Sequence, residues 1–159
     1  MMVALNLHNL SETELLAKHM AQSITSDFVV ILNGNLGAGK TTLVRSILRE
    51  LGITGTIKSP TFTLVEPYHI QKLQIYHFDL YRFIDQHEWY GAGFDEYFTQ
   101  DSVCFIEWAE KATGLIPQID WQVSIVLNGE IRIIEITAMT TKGDECLNKL
   151  TQCVDNLFN

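Results

Sequence analysis

The segment Gly34-Asn35-Leu36-Gly37-Ala38-Gly39-Lys40-Thr41 constrains this chain more than any other stretch of it. Two glycines at the fixed offsets of this motif, followed by lysine and a hydroxyl, form a phosphate-binding loop only where a strand enters and a helix leaves. Both flanks supply that context. Phe28 to Leu32 is an unbroken apolar run, which predicts a short strand buried on both faces. Leu43, Val44, Ile47, Leu48 and Leu51 recur at helical spacing, and Gly52 is placed to end that helix. Gly34, Gly37 and Gly39 allow backbone conformations that turn successive N–H groups of Asn35, Leu36, Gly37, Ala38 and Gly39 towards one anion. The positive end of the following helix dipole points the same way. Lys40 brings a mobile cation to the β- and γ-phosphates, Thr41 a hydroxyl to magnesium, and Thr42 is a candidate for the α-phosphate. The expected ligands are therefore ATP, or another nucleoside triphosphate, and Mg2+.

Such a site needs a carboxylate at the end of a neighbouring buried strand. Glu107 closes the apolar run Val103 to Ile106, and Asp79 follows Ile75-Tyr76-His77-Phe78. Glu107, ending the more uniformly apolar run, is the better candidate for a Walker-B-type acid; one of the two would position magnesium while the other orients the attacking water. Lys40, Asp79 and Glu107 are thus the candidate catalytic residues. Ser59-Pro60-Thr61 places hydroxyls on a loop after the phosphate-loop helix, where it is either a γ-phosphate sensor or a plain turn. Trp108 either shields the site or packs, with packing favoured. His77 lies inside a strand pattern and reads as a core or face residue rather than a base. His8, His19, His69 and His87 show no ligand spacing. Cys104, Cys146 and Cys153 contain no CxxC pair and read as buried thiols of a reducing compartment.

The remaining pattern predicts one α/β domain over residues 1–159. Ser11 and Glu14 read as a capping box opening a first helix through Leu15, Leu16, Met20 and Ile24. Thr61 to Val65 is β-prone, Leu73 to Leu80 reads as a strand, and Asp85 with Glu88 caps a short helix. Val123 to Leu127 and Ile131 to Ile136 form a hairpin about Asn128-Gly129. Cys146, Leu147, Leu150, Cys153, Val154, Leu157 and Phe158 mark a final amphipathic helix. The predicted architecture is P-loop NTPase-like, a mostly parallel central sheet flanked by helices, with a C-terminal hairpin and that last helix.

Charge limits the partners. The net charge is −8 and the arginines are Arg45, Arg49, Arg82 and Arg132, so no basic stripe for nucleic-acid phosphates is visible. Any service to nucleic-acid chemistry would run through another protein. No apolar run approaches a membrane span, and the first ten residues lack a signal-peptide pattern, so the expected address is cytoplasmic, with no membrane contact. A small-molecule or nucleotide kinase is the main rival, but kinases clamp the moving phosphoryl group with several lid arginines, and only Arg82 lies in the central stretch. A GTPase would carry Asn-Lys-x-Asp, whereas Asn148-Lys149 is followed by Leu150 and Thr151.

Taken together, Gly-Asn-Leu-Gly-Ala-Gly-Lys-Thr-Thr, Ser-Pro-Thr-Phe-Thr-Leu-Val-Glu, His-Phe-Asp-Leu-Tyr-Arg and Ile-Glu-Trp resemble, in order and spacing, the bacterial TsaE (YjeE) family. The resemblance runs from about Ser11 to Arg132. It implies an ATPase subunit of the machinery that makes threonylcarbamoyladenosine beside the anticodon of certain tRNAs. It also implies association with the TsaB–TsaD pair, which would hold the tRNA, and slow hydrolysis by the subunit alone. By matching position it makes Thr41 and Glu107 the magnesium pair and Asp79 a catalytic or water-positioning acid. Thr13 and Arg132 match positions that approach the base or ribose. The segment from Asp85 to Tyr90 departs from the family pattern at Gln86, Trp89 and Tyr90, which bears on surface contacts rather than on nucleotide chemistry.

Overall fold

The computed structural model describes residues 1–155. In chain order it contains β1 (Met2–Leu7), α1 (Leu10–Ser23), β2 (Phe28–Asn33), α2 (Lys40–Leu51), β3 (Val65–Ile70) and β4 (Leu73–Asp79). These are followed by α3 (Gln86–Gly91), β5 (Ser102–Glu107), β6 (Trp121–Asn128), β7 (Ile131–Ala138) and α4 (Thr141–Val154). Short 3-10 turns cover Phe94–Tyr97 and Ala109–Ala112.

The strands form one seven-stranded sheet in the order β1-β7-β6-β2-β5-β4-β3. Its centre is parallel, with β2 between β5 and β6 and β4 beyond β5. Both margins are antiparallel, β6–β7–β1 on one side and β4–β3 on the other, so the sheet is mixed.

The apolar run of β2 has a direct cause. Phe28, Val30 and Leu32 enter one core with residues of α1, α2 and α4. Val29 and Ile31 enter a second core with Trp89, Phe94 and the end of β5. Successive strand side chains point to opposite faces, so a strand covered on both faces must be apolar throughout. Each fully buried Val, Leu, Ile or Phe contributes roughly 1.5–3 kcal/mol relative to exposure.

Local signals shift at several points. Helix α1 is capped by Asn9, whose side chain accepts from Glu12 N, and Glu12 in turn accepts from His8 N. The capping box therefore lies two residues before the expected Ser11–Glu14 pair. Residues 61–63 form a turn rather than the start of a strand, and β3 begins at Val65 and runs through Pro67. Proline is tolerated there because β3 is an edge strand, where a missing N–H need not leave a ladder bond unmade. Met2–Leu7 is a strand whose alternate residues Val3, Leu5 and Leu7 turn inward, and it completes the other margin against β7.

Asp85 caps α3 as expected, accepting from His87 N and Glu88 N. Helix α4 starts at a Thr140 cap, and its expected members Leu157 and Phe158 lie outside the described residues. Cys104 and Cys146 are buried, but Cys153 is exposed, which corrects the expectation of three buried thiols. Burial pushes the Cys104 thiol up to about 12, so it is inert at neutral pH. Among the described residues no helix is long and apolar enough to cross a membrane.

Candidate functional site

A cleft of about 380 Å³ opens at the C-terminal ends of the parallel strands, lined by Leu36, Gly37, Gly39, Lys40, Thr41, Thr42, Thr61, Asp79, Tyr81, Arg82, Glu107, Trp108 and Arg132. Ligands of open α/β sheets bind beyond those strand ends, and the volume is within the range of small-molecule sites.

The glycine-rich loop joins β2 to α2 directly. Gly37 and Gly39 have φ of 80° and 108°, a region that side-chain-bearing residues rarely enter. A Cβ on Gly39 would also stand 2.9 Å from Arg132 Nε. Gly39 is the N-cap of α2 and has no side chain to satisfy the first-turn N–H groups, which therefore remain available to an anion.

Lys40 is buried, with its ammonium donating to Gly34 O at 2.6 Å and standing 3.7 Å from the centroid of the Trp108 ring. Burial lowers its pKa, while the carboxylates of Glu107, Glu110 and Asp79 oppose that shift. The lysine is thus tethered over the loop by one carbonyl and one aromatic face. Trp108 itself has a φ of 58°, unusual for a bulky residue, and packs against Tyr81 at 5.0 Å between centroids. It both packs and lines the cleft, so neither alternative read from sequence excludes the other.

The two carboxylates meet. Asp79 and Glu107 are register partners across β4 and β5, and both are buried. The Thr41 hydroxyl donates to Glu107, 3.0 Å from each carboxylate oxygen. Asp79 Oδ1 accepts from Tyr81 N at 3.0 Å. Burial raises the Asp79 pKa; the Tyr81 N–H lowers it, the Glu107 charge raises it further, and His77 and Lys40 pull it down less strongly. Among the described residues no three His, Cys, Asp or Glu side chains could hold a metal by themselves. A cation here would take Thr41 and Glu107 plus oxygens from a ligand and water, the ordinary manner of magnesium.

The structure brings most, not all, of the expected residues together. Leu36, Gly37, Gly39, Lys40, Thr41, Thr42, Asp79, Glu107 and Arg132 line the cleft. Arg132 arrives from β7, and its Nε donates to Ala38 O at 3.1 Å. Asn35 and Ala38 instead line a neighbouring groove with Ile125, Val126 and Leu127. Thr13 is buried in α1, its hydroxyl directed to Asn9 O at 3.4 Å, and is not among the lining residues. Thr61 lines the cleft, with its hydroxyl 2.7 Å from Ser59 Oγ.

Two features escape a reading of the sequence: Tyr81 as a lining residue, and the contact between His77 and Glu107, 2.6 Å from Nε2 to Oε2. The His-x-Asp spacing is a usable signal for the second, because residues two apart on a strand share a face.

Comparison with known proteins gives a consistent picture. The family described as "Threonylcarbamoyl adenosine biosynthesis protein TsaE" matches residues 7–134. A Haemophilus influenzae protein named "tRNA threonylcarbamoyladenosine biosynthesis protein TsaE" is 48% identical over 120 residues, covering 76% of each chain. A Bacillus subtilis protein of the same name is 38% identical over 152 residues, covering 95% of this chain and 94% of its own. The crystal structure of Bacillus subtilis YdiB superposes with a TM-score of 0.81 at 31% identity, covering 96% of this chain and 95% of that one.

Proposed function

The chain belongs to the TsaE family, and on that basis we propose that it is a magnesium-dependent ATPase that supports threonylcarbamoyladenosine synthesis on tRNA. The observation that carries the ATPase part is the Thr41 hydroxyl seated on the Glu107 carboxylate at 3.0 Å, beside a lysine tethered to the glycine-rich loop. In this reading the loop is a phosphate loop and the fold a P-loop NTPase fold, with Gly39 open to the ligand and Lys40 at the helix start.

The residues present fit magnesium and a triphosphate. Thr41 and Glu107 would hold the ion, and the hard oxygen donors suit it. When bound, the ion polarises phosphate oxygens as a Lewis acid. The chain's own groups do the rest. The uncapped first-turn N–H groups of α2 and the Lys40 ammonium bind and orient phosphate. The carbonyl of Gly34 is a resting partner that Lys40 can exchange for a phosphate oxygen. Asp79, whose pKa burial raises above the ordinary carboxylate value, is placed to hold the attacking water and accept its proton. Tyr81 N–H holds that carboxyl in place. Trp108 and Tyr81, 5.0 Å apart between ring centroids, form one aromatic side of the cleft.

The acidic chain is poorly suited to hold tRNA itself, and the resemblance to the TsaE family implies that it acts with the TsaB–TsaD pair. The names of the relatives support this reading over the kinase alternative. The test is release of inorganic phosphate from Mg-ATP by the purified protein, alone and with TsaB–TsaD. Slow turnover alone and a changed rate with partners are expected. Equal rates, with no co-elution on a sizing column, would refute the partnership.

A further inference from the structure

The strongest group that the proposed chemistry leaves unused is His77. It is 1% exposed, inside β4, with Nε2 2.6 Å from Glu107 Oε2. The other ring nitrogen, Nδ1, is buried and has no hydrogen-bond partner among the described residues. A buried orphan N–H is rarer than a buried orphan acceptor, so the proton belongs on Nε2, where it can be donated. Glu107 then accepts from two directions, the Thr41 hydroxyl from α2 and the imidazole from β4.

Three elements thereby converge on one carboxylate. Glu107 ends β5, Thr41 opens α2, and His77 sits two residues before Asp79 on β4, opposite Phe105 in the register. A carboxylate side chain at a strand end has rotamers to choose between. A second, rigidly seated donor selects one of them. His77 is rigidly seated because its backbone lies within a strand paired on both sides, to β3 and to β5.

We propose that His77 is a positioning residue for the magnesium site: its Nε2–H holds Oε2 of Glu107 so that the carboxylate faces Thr41 and the cleft. This rests on the ATPase reading above. Hydrogen-bonded partners of ligating carboxylates are worth roughly 10–100-fold in metal affinity or activity. His77 is not a proton-transfer group in this scheme, because it is buried behind Glu107 and is not among the residues lining the cleft.

Two variants separate positioning from packing. His77→Leu removes the donor and keeps bulk, whereas His77→Gln returns an N–H near the place of Nε2. Each is compared with the wild type by thermal melting, by calorimetry of ATP with and without Mg2+, and by phosphate release. The expected result is that His77→Leu binds ATP without Mg2+ within about twofold of wild type but loses roughly 10–100-fold of the Mg2+-dependent affinity and turnover. His77→Gln recovers most of the loss. Unchanged Mg2+ dependence in His77→Leu, or equal losses in both variants, would overturn the proposal. A readout independent of nucleotide is the long-range 1H–15N spectrum of the imidazole, expected to show the Nε2–H tautomer; an Nδ1–H tautomer also overturns it. If the wild type itself fails to hydrolyse ATP, the ATPase reading falls, while the imidazole spectrum still decides the contact.

Discussion

Asp79 and Glu107 are paired in register at the ends of adjacent parallel strands, which sets two buried carboxylates side by side at the floor of one cleft. Their surroundings differ. Glu107 receives donors from Thr41 and His77, whereas Asp79 receives the backbone N–H of Tyr81. Two acids with unequal donors are free to take unequal roles, one holding a cation and the other water.

Replacing Glu107 by alanine should weaken the Mg2+ dependence of ATP binding more than ATP binding itself. It should also cost about 2 kcal/mol of stability, because the buried donor on His77 loses its acceptor. Calorimetry with and without Mg2+, together with denaturant melts, reads both effects. A variant that loses ATP affinity equally in both conditions would contradict the assignment.

Asp79→Asn tests the cost of a buried charge. The folded-state pKa of Asp79 is raised, chiefly by burial. Between the unfolded and folded pKa values the native state binds the extra proton, so this group's contribution to stability falls as pH rises through that window. The penalty is fully present above the folded pKa and disappears below the ordinary carboxylate range. The asparagine variant should therefore melt higher than wild type at neutral pH, with the gap closing on acidification. Turnover should drop while ATP affinity is retained. A variant that melts lower at neutral pH would show that the carboxylate charge is compensated.

Lys40→Ala should reduce triphosphate affinity roughly 100-fold, the loss of a charged donor to phosphate. The fold should survive, because the lysine's polar partner is a single backbone carbonyl, Gly34 O. Calorimetry measures the first and circular dichroism the second. Wild-type affinity in this variant would remove the phosphate-loop reading altogether.

Gly143→Ala makes a prediction that helix propensity gets wrong. Alanine is favoured over glycine in helix interiors by about 1 kcal/mol. Here a Cβ on Gly143 would stand 2.4 Å from the backbone oxygen of Asp120, and Gly143 O accepts from Trp121 Nε1 at 2.9 Å. The substitution should destabilise by roughly 1–3 kcal/mol, because the clash is with backbone that cannot rotate away. A thermal melt at or above that of wild type would refute the packing argument.

Much of the site is legible in the amino-acid sequence. The glycine-rich loop, the strand before it and the helix after it are short-range patterns, readable because side-chain periodicity follows local backbone geometry. So are Asp79 and Glu107 as strand-terminal acids, since an apolar run that stops at a charge marks where a buried strand reaches its end. The capping box falls two residues earlier than its strongest sequence signal because Asn9-Glu12 and Ser11-Glu14 carry nearly the same pattern, and only the position of the first turn separates them.

Relationships between distant segments are decided by tertiary structure. Strand order places β4 and β5 beside one another, and from that follow the Asp79–Glu107 register and the His77 contact. Arg132 reaches Ala38 O from a hairpin 94 residues further along the chain. Met2–Leu7 carries its own strand alternation at Val3, Leu5 and Leu7, but that it lies at this margin is decided by its pairing with β7. The physical division is simple. The glycine loop and its flanks are specified by the conformations available to neighbouring residues. Which strands lie side by side, and which carboxylate a histidine meets, depend on how both faces of the sheet are buried at once.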